Sequence, residues 1–208
     1  MKNNIVVLLI SGHAGSGKDL FAQYVKKYLT QSNPERSDIL ITHFADFVKF
    51  ICEKFLDWDG EKDYIGRILL QYVGTDIFRS IDPNYWVNFI IEMTEVFRNK
   101  WRYIIIPDAR FPNEIDRMKE EFGKIIHVRV QRQIIEDDLP DYLYRHVSET
   151  ALDNYPYDYL IENDGDKSSL ETLALNIADV MERLYDYEQG GIKVDRKNDE
   201  RLVLSGQG

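Results

Sequence analysis

The stretch Ile5-Val-Val-Leu-Leu-Ile10-Ser11-Gly12-His-Ala-Gly-Ser-Gly-Lys18-Asp19 decides the fold. Its first six residues form an unbroken aliphatic run, the pattern of a strand buried on both faces of a parallel sheet. Gly12 to Lys18 then fits G-x-x-x-x-G-K, a loop whose backbone N–H groups cradle phosphates while its lysine reaches the outer ones. Beyond it Leu20, Phe21, Val25 and Leu29 recur at helical spacing, with Asp19 near the positive end of the helix dipole. Strand, loop and helix in direct succession predict an anion site. Gly12, Gly15 and Gly17 permit φ values that a Cβ forbids, and the helix N-terminus adds its dipole. Ser16 and His13 are expected to be exposed loop positions, with His13 a spacer. Asp19 stands where Ser or Thr usually follows the lysine. A carboxylate there can hold Mg²⁺, directly or through a water, or can simply stabilise the helix start.

Outward from this stretch, strands alternate with helices. Residues 38–44, 103–107, 125–130 and 159–161 read as strands; 45–55, 64–78, 84–97, a segment ending near 122, and 170–187 read as helices. Such alternation predicts an α/β fold with a mainly parallel sheet. Residues 131–157 are polar and irregular, a length that inside a domain usually serves function. After Gly190-Gly191 the chain is charged, with 192–194 and 202–204 able to pair as a small hairpin.

The chain has 208 residues, 26 basic and 36 acidic side chains and a net charge of −10, which opposes binding to nucleic acid or an anionic membrane. A phosphate bound here must therefore meet a local cluster of cations. One cysteine, Cys52, forms no internal disulfide, and no Cys/His spacing supplies a zinc site. No apolar run approaches a membrane span or a signal-peptide core. A soluble protein of a reducing cytoplasm is expected, with a homodimer left open.

A second substrate must be read from other segments. Arg67 and Arg79 flank Leu70-Gln-Tyr-Val-Gly-Thr-Asp76, and Tyr85-Trp86 follows closely. Arginine forks grip phosphate and an aromatic plane can stack on a base, although Trp86 fits a core position equally well and Arg79 could cap its helix. Asp108 lies just past a buried strand, at the carboxyl edge where open α/β sheets bind ligands. With Arg110, Asn113 and Glu114 it makes the most polar strand exit in the chain.

These residues resemble the phage deoxynucleoside monophosphate kinases, within the P-loop nucleoside monophosphate kinase superfamily. The likeness runs from Asn4 to about Leu173. It rests on Ser11-Gly…Ser16-Gly-Lys-Asp19, Arg67…Gly74-Thr-Asp76, Tyr85-Trp-Val87, Pro107-Asp-Ala-Arg110, and His146-Val-Ser-Glu149 with Asn163-Asp-Gly165. The family also carries aspartate after the loop lysine. The resemblance implies a three-layer P-loop NTPase fold in which residues 1–188 form the kinase domain. NMP-binding helices would occupy about 45–98 and a lid about 131–147, with 189–208 a polar tail. It implies transfer of the γ-phosphate of ATP to a deoxynucleoside 5′-monophosphate with Mg²⁺, in host cytoplasm if the chain is phage-encoded. ATP would be held by Gly12, Gly15, Ser16, Gly17, Lys18 and Asp19, the last also meeting the metal. Arg67, Gly74, Thr75, Trp86, Asp108, Arg110 and Glu114 would line the monophosphate site. Lys18, Asp108, Arg132 and Arg145 would act in catalysis. Residues 131–144 and Phe111-Pro112 depart from the family pattern. Alternative readings are another P-loop small-molecule kinase, of dephospho-coenzyme A or phosphomevalonate type, or a GTP-dependent switch. The switch lacks an Asn-Lys-x-Asp guanine reader, because Asn163-Asp-Gly-Asp166 has no lysine.

Overall fold

A computed structural model describes residues 4–31, 37–97, 99–132, 145–163 and 166–186. The opening aliphatic run becomes β1 (Val6–Ser11), buried at all six positions, and the glycine loop delivers the chain into α1 (Lys18–Gln31). There follow β2 (Ile39–Ile41), α2 (Asp46–Phe55), α3 (Tyr64–Gln71), a π-helical segment (Tyr72–Ile77), α4 (Phe78–Ile81) and α5 (Tyr85–Val96). The second half contains β3 (Tyr103–Ile106), α6 (Pro112–Phe122), β4 (Ile125–Gln131), α7 (Val147–Thr150), β5 (Tyr159–Glu162) and α8 (Lys167–Asp186). The strands form one parallel sheet in the order β2-β3-β1-β4-β5. The sheet is centred on β1, whose Val6 pairs with Tyr103 and Val7 with Ile125.

Side-chain alternation along β1 separates two cores. Val6, Leu8 and Ile10 meet Phe21, Val25 and Leu29 of α1 and Leu173, Ile177 and Met181 of α8. Ile5, Val7 and Leu9 face the other way, onto Val48 and Cys52 of α2, Val87 and Ile91 of α5, and Ile115, Met118 and Phe122 of α6. Burying one such aliphatic side chain contributes about 1.5–3 kcal/mol, so both layers hold β1 at the centre. The parallel sheet is the one that the alternation of elements predicts, and helices on both its faces make the three-layer α/β architecture that the resemblance implies. Among the described residues no helix is long and apolar enough to cross a membrane.

The structure departs from the sequence expectations at particular places. The strand expected over 38–44 ends at Ile41, because beyond Thr42 the amides of Phe44 and Ala45 turn to the Asp108 carboxylate. The helix expected over 64–78 is interrupted: the indole N–H of Trp86 takes the Gly74 carbonyl at 2.8 Å, within the π-helical segment. A carbonyl drawn to a side chain in this way loosens the helical ladder locally. The hairpin expected in the tail and most of the expected lid lie outside the described residues.

Candidate active site

The phosphate loop is shaped by contacts that only glycine allows. Gly12, Gly15 and Gly17 have φ of 139°, 74° and 97°. A Cβ on Gly12 would lie 2.1 Å from the Val130 carbonyl oxygen, and one on Gly17 2.5 Å from Asn163 Nδ2. Asn163, just past β5, donates from Nδ2 to the Ser16 carbonyl at 2.9 Å and fixes the turn into α1. Ser16, expected to be exposed, is buried, since the same turn folds it beneath the loop. Lys18 is 8% exposed. Its Nζ donates to the His13 carbonyl at 2.6 Å and to Ser16 Oγ at 3.5 Å. Burial, reinforced by the nearby Arg110 guanidinium, lowers its pKa from 10.5 to about 8.

Facing this loop is a cleft of about 340 Å³. Gly15, Lys18, Asp19, Arg67, Gly74, Thr75, Trp86, Asp108, Arg110 and Glu114 all line it, so the structure brings together residues that lie far apart in sequence. Gly12, Ser16 and Gly17 shape the loop behind it. Arg132 and Arg145 are exposed and are not among the lining residues. Arg129 points elsewhere: it donates to the Leu152 carbonyl at 2.9 Å and to Asp153 Oδ1 at 2.7 Å.

The far wall starts at Asp63, whose carboxylate caps α3 by accepting the Gly66 amide at 2.8 Å. One turn on, Arg67 Nε donates to the Lys62 carbonyl at 3.1 Å. Its two terminal nitrogens have no partner among the described residues, nor has the Lys62 ammonium any ion pair there. Burial, with the Lys49 charge, lowers the Lys62 pKa. Trp86 is 2% exposed and packs with Phe78 and Tyr85 at ring-centroid distances of 4.8 and 4.9 Å. It borders the cleft as a core residue that also supports Gly74.

The strand exit after β3 is more built than a turn requires. Asp108 accepts the Phe44 amide at 2.9 Å on Oδ1 and the Ala45 amide at 3.0 Å on Oδ2. Each oxygen therefore anchors the chain that enters α2. Glu114, fully buried, accepts the amides of Arg110 at 2.7 Å and Phe111 at 3.0 Å on Oε2 and pairs through Oε1 with Arg79. Burial pushes its carboxyl pKa up. Arg79 lies 4.0 Å above the Phe111 ring and pairs with the Glu114 carboxylate, while its NH1 donates to the Pro83 carbonyl at 2.9 Å, just past the end of its own helix.

Sequence reasoning did not single out His43, Lys49 or Lys62, which also line the cleft. His43 lies just past β2, so the rule that finds ligand residues at carboxyl strand edges selects it as it selects Asp108. Its Nε2 is 3.1 Å from Asp19 Oδ1 and its Nδ1 3.3 Å from Asp46 Oδ2. Burial alone would lower its pKa, but these hydrogen bonds outweigh it and raise the value to about 9. His43 is thus a cation between two carboxylates at neutral pH. The same partner holds the Asp19 carboxyl below its ordinary range.

With these contacts in place, the resemblance noted in the sequence acquires independent support. The family model for deoxynucleotide monophosphate kinase matches residues 27–177. The match begins after the glycine loop, so the loop is a separate observation. The deoxynucleotide monophosphate kinase of Enterobacteria phage T4 is 32% identical over 126 residues, covering 60% of this chain and 48% of that protein. A relative in Acanthamoeba polyphaga mimivirus, named for the same activity, is 27% identical over 150 residues, covering 60% of this chain and 74% of the relative. The chain thus spans about half the length of the phage protein it matches. Among solved structures, an unliganded sugar kinase from Janibacter sp. HTCC2649 aligns with a TM-score of 0.53 at 13% identity, over 86% of this chain and 98% of that one. That likeness shows the fold alone.

Proposed function

The chain belongs to the deoxynucleotide monophosphate kinase family, and from that premise we propose that it transfers the γ-phosphoryl group of ATP to a deoxynucleoside 5′-monophosphate, giving the diphosphate and ADP. One observation carries the reading beyond family membership. The terminal guanidinium nitrogens of Arg67 and the Lys62 ammonium, without an ion pair among the described residues, border the same cleft as Lys18 and the glycine loop. A chain of net charge −10 that gathers Lys18, Lys62, Arg67 and Arg110 around one cleft is arranged for two phosphate-bearing ligands.

Phosphoryl transfer asks mainly for positioning and charge neutralisation. Loop amides and Lys18 hold the donor phosphates, while Arg67 and Lys62 hold the acceptor phosphate. The attacking oxygen is already ionised near neutral pH, so no general base is needed. Asp108 and Glu114, whose oxygens are occupied by backbone amides and Arg79, act here as positioning residues. The Asp19 carboxylate is 76% exposed beside the loop. That setting fits Mg²⁺, which binds through one or two carboxylates, substrate phosphates and several waters, and which when bound offsets donor charge.

The test is an ADP-release assay across the four common deoxynucleoside monophosphates and their ribonucleotide counterparts. Turnover with at least one deoxynucleotide is expected. ATP consumption with none of the eight, but with dephospho-coenzyme A or a phosphorylated alcohol, would move the chain to another kinase class.

A further inference from the structure

Glu149 is almost as buried as Glu114, at 7% side-chain exposure, yet it belongs to a helix of only four residues, α7. A buried carboxylate is costly unless charged or polar partners compensate it, and each oxygen of Glu149 has a partner on a different part of the site. Oε2 accepts the backbone N–H of Ala14 at 2.9 Å, inside the phosphate loop. Oε1 pairs with NH1 of Arg110, at the exit of β3. The same NH1 donates to the Ser148 carbonyl at 3.1 Å. Both contacts fall on one guanidinium nitrogen. The other two, Nε and NH2, have no hydrogen-bond partner among the described residues, and Arg110 and Glu149 both line the cleft beside Lys18.

We propose that Glu149 is a positioning residue: it locks Arg110 against the phosphate loop, so that the free side of the guanidinium and Lys18 meet the same transferring phosphoryl group. The inference rests on the proposed phosphotransfer reading. A bond anchored at both ends fixes the arginine without spending its phosphate-facing donors, which is how a guanidinium is made ready for charge that develops only in the transition state. An arginine acting there changes kcat more than ground-state binding.

The experiment is a double-mutant cycle on kcat with Glu149→Gln and Arg110→Ala, alongside calorimetric ATP affinity. The glutamine oxygen can still accept from Ala14 while the charge facing Arg110 is gone. Glu149→Gln is expected to lower kcat by ~30-fold with ATP affinity within ~3-fold of wild type, and to add less than ~3-fold when Arg110 is already alanine. Thermal unfolding of each variant reports folding. If Glu149→Gln does not fold, Arg110→Lys reads the same pair from the other side, with a comparable kcat loss expected. Normal kcat in the folded variant, fully additive losses, or ATP binding tightened more than ~10-fold would overturn the proposal; the last would make Glu149 a plug that ATP displaces. A wild-type chain that phosphorylates no monophosphate defeats the functional reading instead, so the two failures are told apart.

Discussion

Burial and the Arg110 charge lower Lys18 to about 8, so the free protein carries an amine that is only partly protonated in mildly alkaline buffer. A phosphate placed against it favours the ammonium and returns its pKa toward the ordinary value. Binding of ATP between pH 8 and 9 should therefore take up a proton, and affinity should fall as pH rises through that window. Calorimetry in two buffers of different ionisation enthalpy measures the uptake; equal heats in both would mean that Lys18 does not meet the nucleotide. Lys18→Ala should cost at least ~100-fold in turnover, because a desolvated cation acting on developing charge is removed. Arg67 lies on the other wall and is expected to serve one ligand only. Arg67→Ala should weaken the monophosphate by at least ~10-fold while leaving ATP nearly unchanged, and equal weakening of both would place Arg67 outside the acceptor site.

The elements that carry strong periodicity are legible in the sequence itself. The Ile5–Ile10 run, the Lys18–Leu29 spacing and the YIII of 103–106 yield β1, α1 and β3, because burial on one or both faces leaves a mark on every residue involved. What escaped was set by contacts between distant segments. The end of β2 is decided by Asp108, the π-helical segment accompanies the Trp86 indole bond to Gly74, and α7 sits where Glu149 meets Ala14. None of these partners is within reach of a local pattern. The cleft lining shows the same division, since the loop and strand-exit residues, His43 among them, follow sequence rules while Lys49 and Lys62 arrive by folding. The lid reading of 131–147 extends the proposed function at this scale, with most of the segment outside the described residues. Alanine at Arg132 or at Arg145 should lower kcat by ~10²-fold in at least one variant, since an arginine meeting the transferring phosphoryl acts mainly in the transition state. Steady-state kinetics decide it, and near-normal kcat in both variants would leave the segment without a catalytic arginine.

Across the whole molecule, two histidines of opposite character contribute opposite slopes to the pH dependence of stability. His43 is raised from 6.5 to about 9 by its bonds to Asp19 and Asp46, against the opposing effect of burial. Its contribution is fully present below pH 6.5 and is lost as pH rises through 9. His127, on β4 beneath the loop, is lowered to about 4, chiefly by burial. Its neutral ring donates from Nδ1 to the Pro156 carbonyl at 3.0 Å and accepts at Nε2 from the Ser11 hydroxyl at 2.8 Å. That contribution is present above pH 6.5 and disappears as pH falls through 4. Each shift corresponds to at most about 3 kcal/mol. Lys18 runs counter to His43, because its buried charge costs stability below pH 8 and the cost is relieved between 8 and 10.5. The unfolding midpoint should therefore peak near pH 6.5, drop by several degrees toward pH 4.5, and drop more gently toward pH 8. His127→Asn should flatten the acid side and His43→Asn the alkaline side, each leaving the other slope in place. A wild-type midpoint that stays level from pH 4.5 to 8, followed by calorimetry or circular dichroism, would show that neither ring is held in the charge state its partners impose.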